Sequence, residues 1–110
     1  DLSIISPDQR IYGDGVKPAS YGVAKAGVVN LTKYLSTYLA KKNIRVNSLS
    51  PAGVYNNQSD EFVSKFRNLI PMDRMAKPDE YKGAIVFMCS DASSFMTGHN
   101  LVIDGGRTIW

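Results

Sequence analysis

The sequence predicts an α/β fold in which helices pack on a mainly parallel sheet. Three amphipathic helical patterns and two short apolar strand patterns follow one another in the order helix, strand, helix, helix, strand. Two apolar strands joined by a helical crossover are typical of neighbours in a parallel sheet. So few strands cannot cover three amphipathic helices on both faces. We therefore expect the remaining strands to come from an earlier part of the chain or from a partner.

The first helix is predicted from Pro18 or Ser20 to about Lys42, with Ser20 as a candidate cap. It follows a loop over residues 1–17, in which the apolar residues before Ser6 suggest the remnant of a strand. At about 100° per residue, one narrow stripe of the helix holds its apolar residues Ala24, Val28, Leu31, Leu35 and Leu39. The lysines at its end suit the negative end of the helix dipole.

Four further segments complete the pattern. Residues 44–50 predict a strand that ends at Pro51, and residues 101–103 predict a second strand. Residues 59–69 predict a second helix with acidic residues in its first turn. A third helix opens at Pro78 and carries an apolar stripe at helical spacing, formed by Tyr81, Ala84, Ile85, Met88 and Cys89.

Composition argues against several classes of protein. Of the 110 residues, 44% are hydrophobic and 21% are charged, which is ordinary for a globular chain and not for a disordered one. The net charge of +3 comes from scattered lysines and arginines without a basic stripe or a zinc-ligand spacing, so we expect no nucleic-acid partner. No apolar run is long enough for a membrane span, so no membrane partner is expected either. A single cysteine, Cys89, indicates a cytoplasmic, reducing setting.

Tyr21 and Lys25 are the strongest candidates for chemistry. Four residues apart on a helix, their side chains are neighbours on one face. An ammonium group close to a phenol favours the phenolate, which makes the phenol a better proton donor or acceptor near neutral pH. The spacing alone is a weak motif, because it recurs at Tyr38 and Lys42. That second pair lies at the far end of the helix, where an exposed lysine complements the helix dipole.

Several motifs in the same order resemble the short-chain dehydrogenase/reductase family. The longest are residues 21–32 (YGVAKAGVVNLT) and 43–51 (NIRVNSLSP). Further matches are Pro71 with Arg74, Pro78 with Glu80, residues 87–91, 97–98 and 102–106, so that the resemblance covers nearly the whole chain. Residues 7–12 and the tail ending in Trp110 most resemble the acyl-carrier-protein reductases and flagellin-modification oxidoreductases of that family.

The resemblance implies the C-terminal part of a doubly wound, Rossmann-type parallel sheet and one partial domain over residues 1–110. Residues 1–17 would precede the active-site helix, 18–50 would form the catalytic helix and a strand, 51–77 the cofactor loop and substrate lid, and 78–110 the last helix, strand and tail. Tyr21 would be the catalytic acid/base, and Lys25 would assist it and hold the ribose of NAD or NADP. The homodimers and homotetramers of the family would be the expected assembly.

The loop after the strand would meet the nicotinamide carboxamide through its backbone. By resemblance it consists of Pro51, Ala52, Gly53 and Val54, followed by Asn56 where the family commonly has Thr. The usual Pro-Gly is replaced here by Pro-Ala-Gly, which leaves slightly less backbone freedom. An asparagine amide can still donate and accept hydrogen bonds. Residues 58–74 would be the mobile lid over the substrate.

Some parts of the family's machinery have no counterpart in these residues. The glycine-rich phosphate loop is missing, and the catalytic Ser and Asn of the family are expected before Asp1, with Ser3 and Ser6 as weak alternatives for the Ser. Outside the resemblance, His99 is expected in a turn or edge position, and Cys89 as a buried, inert thiol. No metal site is expected.

Two functions follow from these observations. The first is an oxidoreductase that transfers a hydride between a nicotinamide cofactor and the carbonyl or secondary alcohol of a small-molecule substrate, with the proton handled by Tyr21. The alternative is a non-catalytic fragment or an oligomerisation module that kept these helices. On either reading, the 110-residue piece alone is expected to be inactive, because it lacks the loop that binds the pyrophosphate.

Overall fold

The computed structural model describes all 110 residues and has the predicted order of elements. They are α1 (Ala19–Leu39), β1 (Ser48–Pro51), α2 (Asp60–Arg67), α3 (Lys82–Cys89) and β2 (Asn100–Ile103). Short 3-10 turns lie at Gln9–Tyr12, Ala40–Lys42, Pro78–Tyr81 and Asp91–Ser93. None of the three α-helices has the length and apolarity that a membrane crossing requires. The prediction of an α/β fold is confirmed.

The two strands form a parallel pair, as predicted, in which Ser48 is opposite Asn100 and Pro51 is opposite Ile103. Side chains reinforce the pairing, because the hydroxyls of Ser48 and Ser50 both donate to Asn100 Oδ1, at 3.0 and 2.9 Å. The prediction that β1 spans residues 44–50 is wrong at both ends. Residues 44–47 contact the segment before β2 largely through hydrogen bonds that involve side chains. Pro51 can be the last residue of the strand because it has no N–H to pair, and its carbonyl accepts a hydrogen bond.

Helix α1 begins after Pro18, and no side chain caps it. The expectation that Ser20 is the cap is therefore wrong, since Ser20 lies inside the first turn. The helix ends at Leu39 and tightens into a 3-10 turn, after which Asn43 reverses the chain with a φ of 58°. Asparagine tolerates this left-handed conformation better than most residues, which explains its position here.

The face of α1 that packs against the chain is small and polar. Thr32 and Ser36 are its buried residues, and their hydroxyls donate to the carbonyls of Val28 and Lys33 in the preceding turn. Gly98, at φ 74°, permits this approach, because a Cβ on it would lie 2.7 Å from Ser36 Oγ. The predicted apolar stripe is largely uncovered: Val28 and Leu31 are each 51% exposed.

The core lies between α2, the loop after β1 and the first 3-10 turn. It consists of Ile11, Ala52, Phe66, Ile70 and Met75. Only 11 of 110 residues are buried, and the radius of gyration is 15.6 Å. A compact domain of this length has a radius of about 13 Å. The low burial agrees with the expectation that further elements cover α1 and α3.

Two sequence expectations at the edges of the fold are also wrong. Cys89 is exposed, because nothing in the structure packs over the apolar stripe of α3, which has no buried residue. Helix α3 is held at its end instead, where Arg45 donates to the carbonyls of Met88, Ser90 and Met96. The apolar residues before Ser6 form a turn closed by a hydrogen bond from the Ile4 N–H to the Asp1 carbonyl, and not a strand.

Candidate active site

A cleft of about 510 Å³ opens between the first half of α1 and the loop after β1. Parallel strands of α/β folds place binding sites at their carboxyl ends, where this loop begins. Five of the predicted site residues line the cleft together with Tyr21: they are Lys25, Pro51, Ala52, Gly53 and Val54. The structure thus brings residues some thirty positions apart in sequence to one cleft.

Tyr21 and Lys25 lie on consecutive turns of α1 and both face this cleft. The Lys25 ammonium is 5.6 Å from the centroid of the Tyr21 ring, and the tyrosine is 41% exposed. An accessible phenol beside a cation can exchange a proton with a molecule bound in the cleft. Tyr38 and Lys42 have almost the same separation, 5.8 Å, but neither lines the cleft.

A second cation, Lys17, lies even closer to Tyr21, with its ammonium 3.8 Å from the ring centroid. Sequence reasoning did not find it, although it also stands four residues from Tyr21. Pro18 is the N-cap of α1, so Lys17 precedes the helix and the helical spacing rule does not apply to it. Two hydrogen bonds to the side chain of Gln9 fix its backbone.

The loop after β1 is tightly placed. Gly53 is required by its neighbours, because a Cβ would lie 2.4 Å from Cε1 of Phe66. Ala52 has no left-handed φ, so the Pro-Ala-Gly sequence fits this loop without strain. The carbonyl of Gly53 accepts from the Ala76 N–H, whereas the N–H groups of Gly53 and Val54 have no hydrogen-bond partner within the chain. Both residues line the cleft.

Asn56 is placed outside the cleft and is exposed. Its backbone N–H donates to Gln58 Oε1 at 2.7 Å, and the Gln58 amide donates in turn to the Val54 carbonyl. Gln58 itself lines the cleft. The side chain that reaches the site from this turn is thus Gln58, which the motif did not identify.

The predicted lid, residues 58–74, contributes an aromatic wall to the cleft. Phe62 and Phe66 stack at 5.6 Å between ring centroids, and Tyr12 approaches Phe62 at 6.0 Å. Burial raises the pKa of Tyr12, because it disfavours the phenolate. Within the lid, Arg67 donates two hydrogen bonds to the carboxylate of Asp73. Movement of the lid stays a prediction.

Of the two serines named as weak alternatives, Ser3 lines the cleft and Ser6 does not. The Ser3 and Ser50 hydroxyls are 2.9 Å apart and share a hydrogen bond. The structure brings together no group of three or more His, Cys, Asp or Glu residues that could hold a metal ion. Asp104 accepts from the N–H groups of Gly106 and Thr108, which makes it a turn residue.

The chain is similar in sequence to several known proteins. The family model described as enoyl-(acyl carrier protein) reductase matches residues 8–108. D-Arabinitol 2-dehydrogenase (ribulose-forming) of Candida tropicalis is 42% identical, over 99% of this chain and 42% of its own length. NADP-dependent mannitol dehydrogenase of Alternaria alternata is 46% identical, over 83% of this chain and 35% of its own.

The fold is shared as closely as the sequence. The crystal structure of a short chain dehydrogenase from Leptospira borgpetersenii with bound NAD+ matches with a TM-score of 0.92 and 40% identity, over 98% of this chain and 41% of that one. The chain thus spans about two fifths of the length of the proteins it matches. Because sequence and fold agree over nearly all of its residues, the chain belongs to the short-chain dehydrogenase/reductase family.

Proposed function

We propose that the full-length protein is an oxidoreductase that transfers a hydride between NAD or NADP and the carbonyl or secondary alcohol of a small molecule. The observation that carries this proposal is the convergence on one cleft of the Tyr21 phenol, the Lys25 ammonium and the unpaired N–H groups of Gly53 and Val54. The names of the relatives support it, because they are dehydrogenases of polyols and one has NADP in its name.

Tyr21 exchanges the proton in this proposal. When an alcohol is oxidised, its carbon–hydrogen bond breaks and the hydride leaves for the cofactor, while the hydroxyl proton passes to the Tyr21 phenolate oxygen. The carbonyl product has then lost one hydride and one proton. In the reverse direction Tyr21 protonates the oxygen of the reduced carbonyl. The ammonium groups of Lys17 and Lys25 lie beside this phenol, at 3.8 and 5.6 Å from the ring centroid.

The residues around the cleft fit the nicotinamide end of a dinucleotide. Its volume of about 510 Å³ lies within the usual range for ligand sites. When bound, the cofactor supplies the hydride acceptor or donor. Lys25 would hold the ribose hydroxyls, and the N–H groups of Gly53 and Val54 would donate to the carboxamide oxygen. Asn56 is left out of the proposed site, because it is exposed and lies outside the cleft.

We also propose that the protein assembles as a homodimer or homotetramer. The apolar residues of α1 and α3 that these 110 residues leave uncovered are available to further elements of the full-length chain or to a second copy of it, because large apolar faces are rarely left in contact with water. Candidates for such contacts are Val28, Leu31, Ile85 and Val86, which are 47–68% exposed. A cytoplasmic location stays a prediction.

The two Tyr–Lys pairs of α1 give a matched test of the catalytic proposal. In the full-length protein, Tyr21→Phe should lower kcat for polyol oxidation about 100-fold or more, which is the usual contribution of a general acid/base. Tyr38→Phe, with nearly the same ring-to-ammonium distance outside the cleft, should change kcat less than twofold. Turnover is followed by the absorbance of the reduced nicotinamide. Equal effects of the two substitutions contradict the proposal.

A further inference from the structure

Arg107 is a buried cation at the edge of the cleft that the proposed hydride transfer does not use. Its side chain is 9% exposed and lines the cleft with Tyr21 and Phe66. The guanidinium carbon is 5.7 Å from the centroid of the Phe66 ring, which restricts its position. Its backbone is fixed as well, because the Arg107 N–H donates to the carbonyl of Asp104 in the turn after β2.

The Arg107 guanidinium forms one loose ion pair, with the carboxylate of Asp1. Arg107 Nε is buried and donates no hydrogen bond. The nearest carboxylate oxygen, Asp1 Oδ2, is 3.6 Å away, which is too far for a hydrogen bond, and it also lacks a partner. A buried donor without a hydrogen-bond partner is costly, so this guanidinium is able to bind a further anionic group.

The charges around the cleft favour an anion. Lys17, Lys25 and Arg107 line it, against the single carboxylate of Asp1. Lys17 faces Tyr21, and in the proposed function Lys25 faces the cofactor ribose. This leaves Arg107, with Tyr12 and the two stacked phenylalanines, to meet the rest of the substrate. A guanidinium binds carboxylate and phosphate oxygens in a fixed, two-pronged geometry.

We propose that Arg107 binds an anionic group of the substrate, a carboxylate or a phosphate, so that the enzyme prefers an acidic hydroxy compound to its neutral analogue. The inference rests on the proposed oxidoreductase function and adds the class of substrate. Arg107 acts by binding, at a distance from the reacting carbon, and takes no part in the proton transfer.

Three related compounds test the inference in the full-length protein: D-mannitol, D-mannonate and D-mannitol 1-phosphate. We expect the wild type to favour one of the two anions over mannitol at least tenfold in kcat/KM, and the better anion identifies the recognised group. Arg107→Gln should lower kcat/KM for that anion about 10- to 100-fold, which is typical of a lost charged hydrogen bond, and leave mannitol within threefold. Arg107→Lys should keep part of the preference.

Arg10→Gln is the matched control, because Arg10 is paired with Asp8 outside the cleft and its side chain is 87% exposed. It should leave the preference unchanged. If Arg107→Gln does not fold, the test rests on Arg107→Lys, which keeps the positive charge and loses only the two-pronged hydrogen-bond geometry. A wild type that favours mannitol, or a preference that both Arg107 variants retain in full, overturns the inference.

A binding measurement separates this inference from the proposed reaction. Calorimetric titration of the three compounds into the Tyr21→Phe protein, with NAD+ or NADP+ present, reports recognition without turnover. Anion binding that depends on Arg107, in a protein whose wild type turns over none of the three, would support the role of Arg107 and leave the oxidation of these polyols without support. Turnover of mannitol without any anion preference would support the oxidoreductase proposal and contradict the role of Arg107.

Discussion

Gln9 holds the backbone of Lys17 through two reciprocal hydrogen bonds. The Gln9 amide nitrogen donates to the Lys17 carbonyl at 3.2 Å, and the Lys17 N–H donates to the Gln9 amide oxygen at 2.9 Å. The same lysine has its ammonium over the ring of Tyr21. A surface glutamine in a 3-10 turn thus fixes a residue that touches the proposed catalytic tyrosine, across a loop that the sequence predicts to be irregular.

Substitutions of Lys17, or of the Gln9 side chain that holds its backbone, should lower the proposed activity. We expect Lys17→Met to lower kcat/KM of the full-length protein about fivefold, because a cation over an aromatic ring contributes about 1 kcal/mol. Gln9→Ala should act in the same direction and more weakly. The double variant should be no slower than Lys17→Met alone, as expected for residues that act in series. Fully additive effects in steady-state kinetics contradict this coupling.

The contact between Gly53 and Phe66 predicts an asymmetric response to small substitutions in the loop. Gly53→Ala places a methyl group against the Phe66 ring and should destabilise the protein by about 1–3 kcal/mol, as overpacking does. Ala52→Gly, one residue away, creates no clash; it removes one buried methyl group and adds backbone freedom, and should cost about 1 kcal/mol. Denaturant unfolding of both full-length variants measures the difference. Equal stabilities would show that the ring moves away freely.

The ion pair of Arg74 and Glu80 makes stability depend on acid pH. The Arg74 guanidinium donates to both Glu80 oxygens at 2.7 Å, and the Lys77 N–H donates to the same carboxylate. These bonds lower the pKa of Glu80 from its ordinary 4.5 to about 2. Because the pKa is lower in the folded state, the carboxylate stabilises the fold above pH 4.5, and this contribution disappears as the pH falls towards about 2.

Thermal unfolding of Glu80→Gln and the wild type at a series of pH values tests this. The wild type should be the more stable protein at neutral pH, and the two curves should converge below pH 4.5. Glu61→Gln is a suitable control, because the exposed Glu61 carboxylate has a single lysine partner. If the two curves of thermal stability against pH stay parallel down to about pH 2, Glu80 is not the source of the pH dependence.

Residues 1–110 produced alone should neither bind a dinucleotide tightly nor turn over an alcohol. The glycine-rich loop that binds pyrophosphate in related folds is not among them. Dinucleotide titration, followed by the fluorescence of Trp110, and a turnover assay measure both properties, with the full-length protein as reference. Clear cofactor-dependent turnover by the 110 residues would contradict the prediction.

Local spacing predicted the parts of the site that lie within one element. The step of four residues from Tyr21 to Lys25 is enough to place both side chains on one face of α1, and the structure shows them at one cleft. Contacts that cross the fold carry no such signal. Nothing near Arg107 in the sequence shows that it contacts Phe66. Lys17 precedes Pro18, the N-cap of α1, so the four-residue spacing of a helix does not apply to it.

The same limit explains the errors in the fold. Helical periodicity identified the apolar stripes of α1 and α3, but periodicity says only which residues share a face and not what covers it. The chain instead packs α1 through Thr32 and Ser36, and it leaves Cys89 in contact with solvent. The predicted strand begins too early, at residue 44. Hydrophobic alternation does not show where side chains replace the backbone hydrogen bonds between strands.

The close contact of Ser36 with Gly98 has a consequence at the opposite end of α1. A helix is stiff over the four turns that separate Ser36 from Tyr21, so the tilt of α1 at this contact determines how far Tyr21 stands from Gly53. Any side chain at position 98 would push the helix outward there and rotate its first turns relative to the loop after β1. The width of the proposed active-site cleft is thus set by a glycine that does not line it.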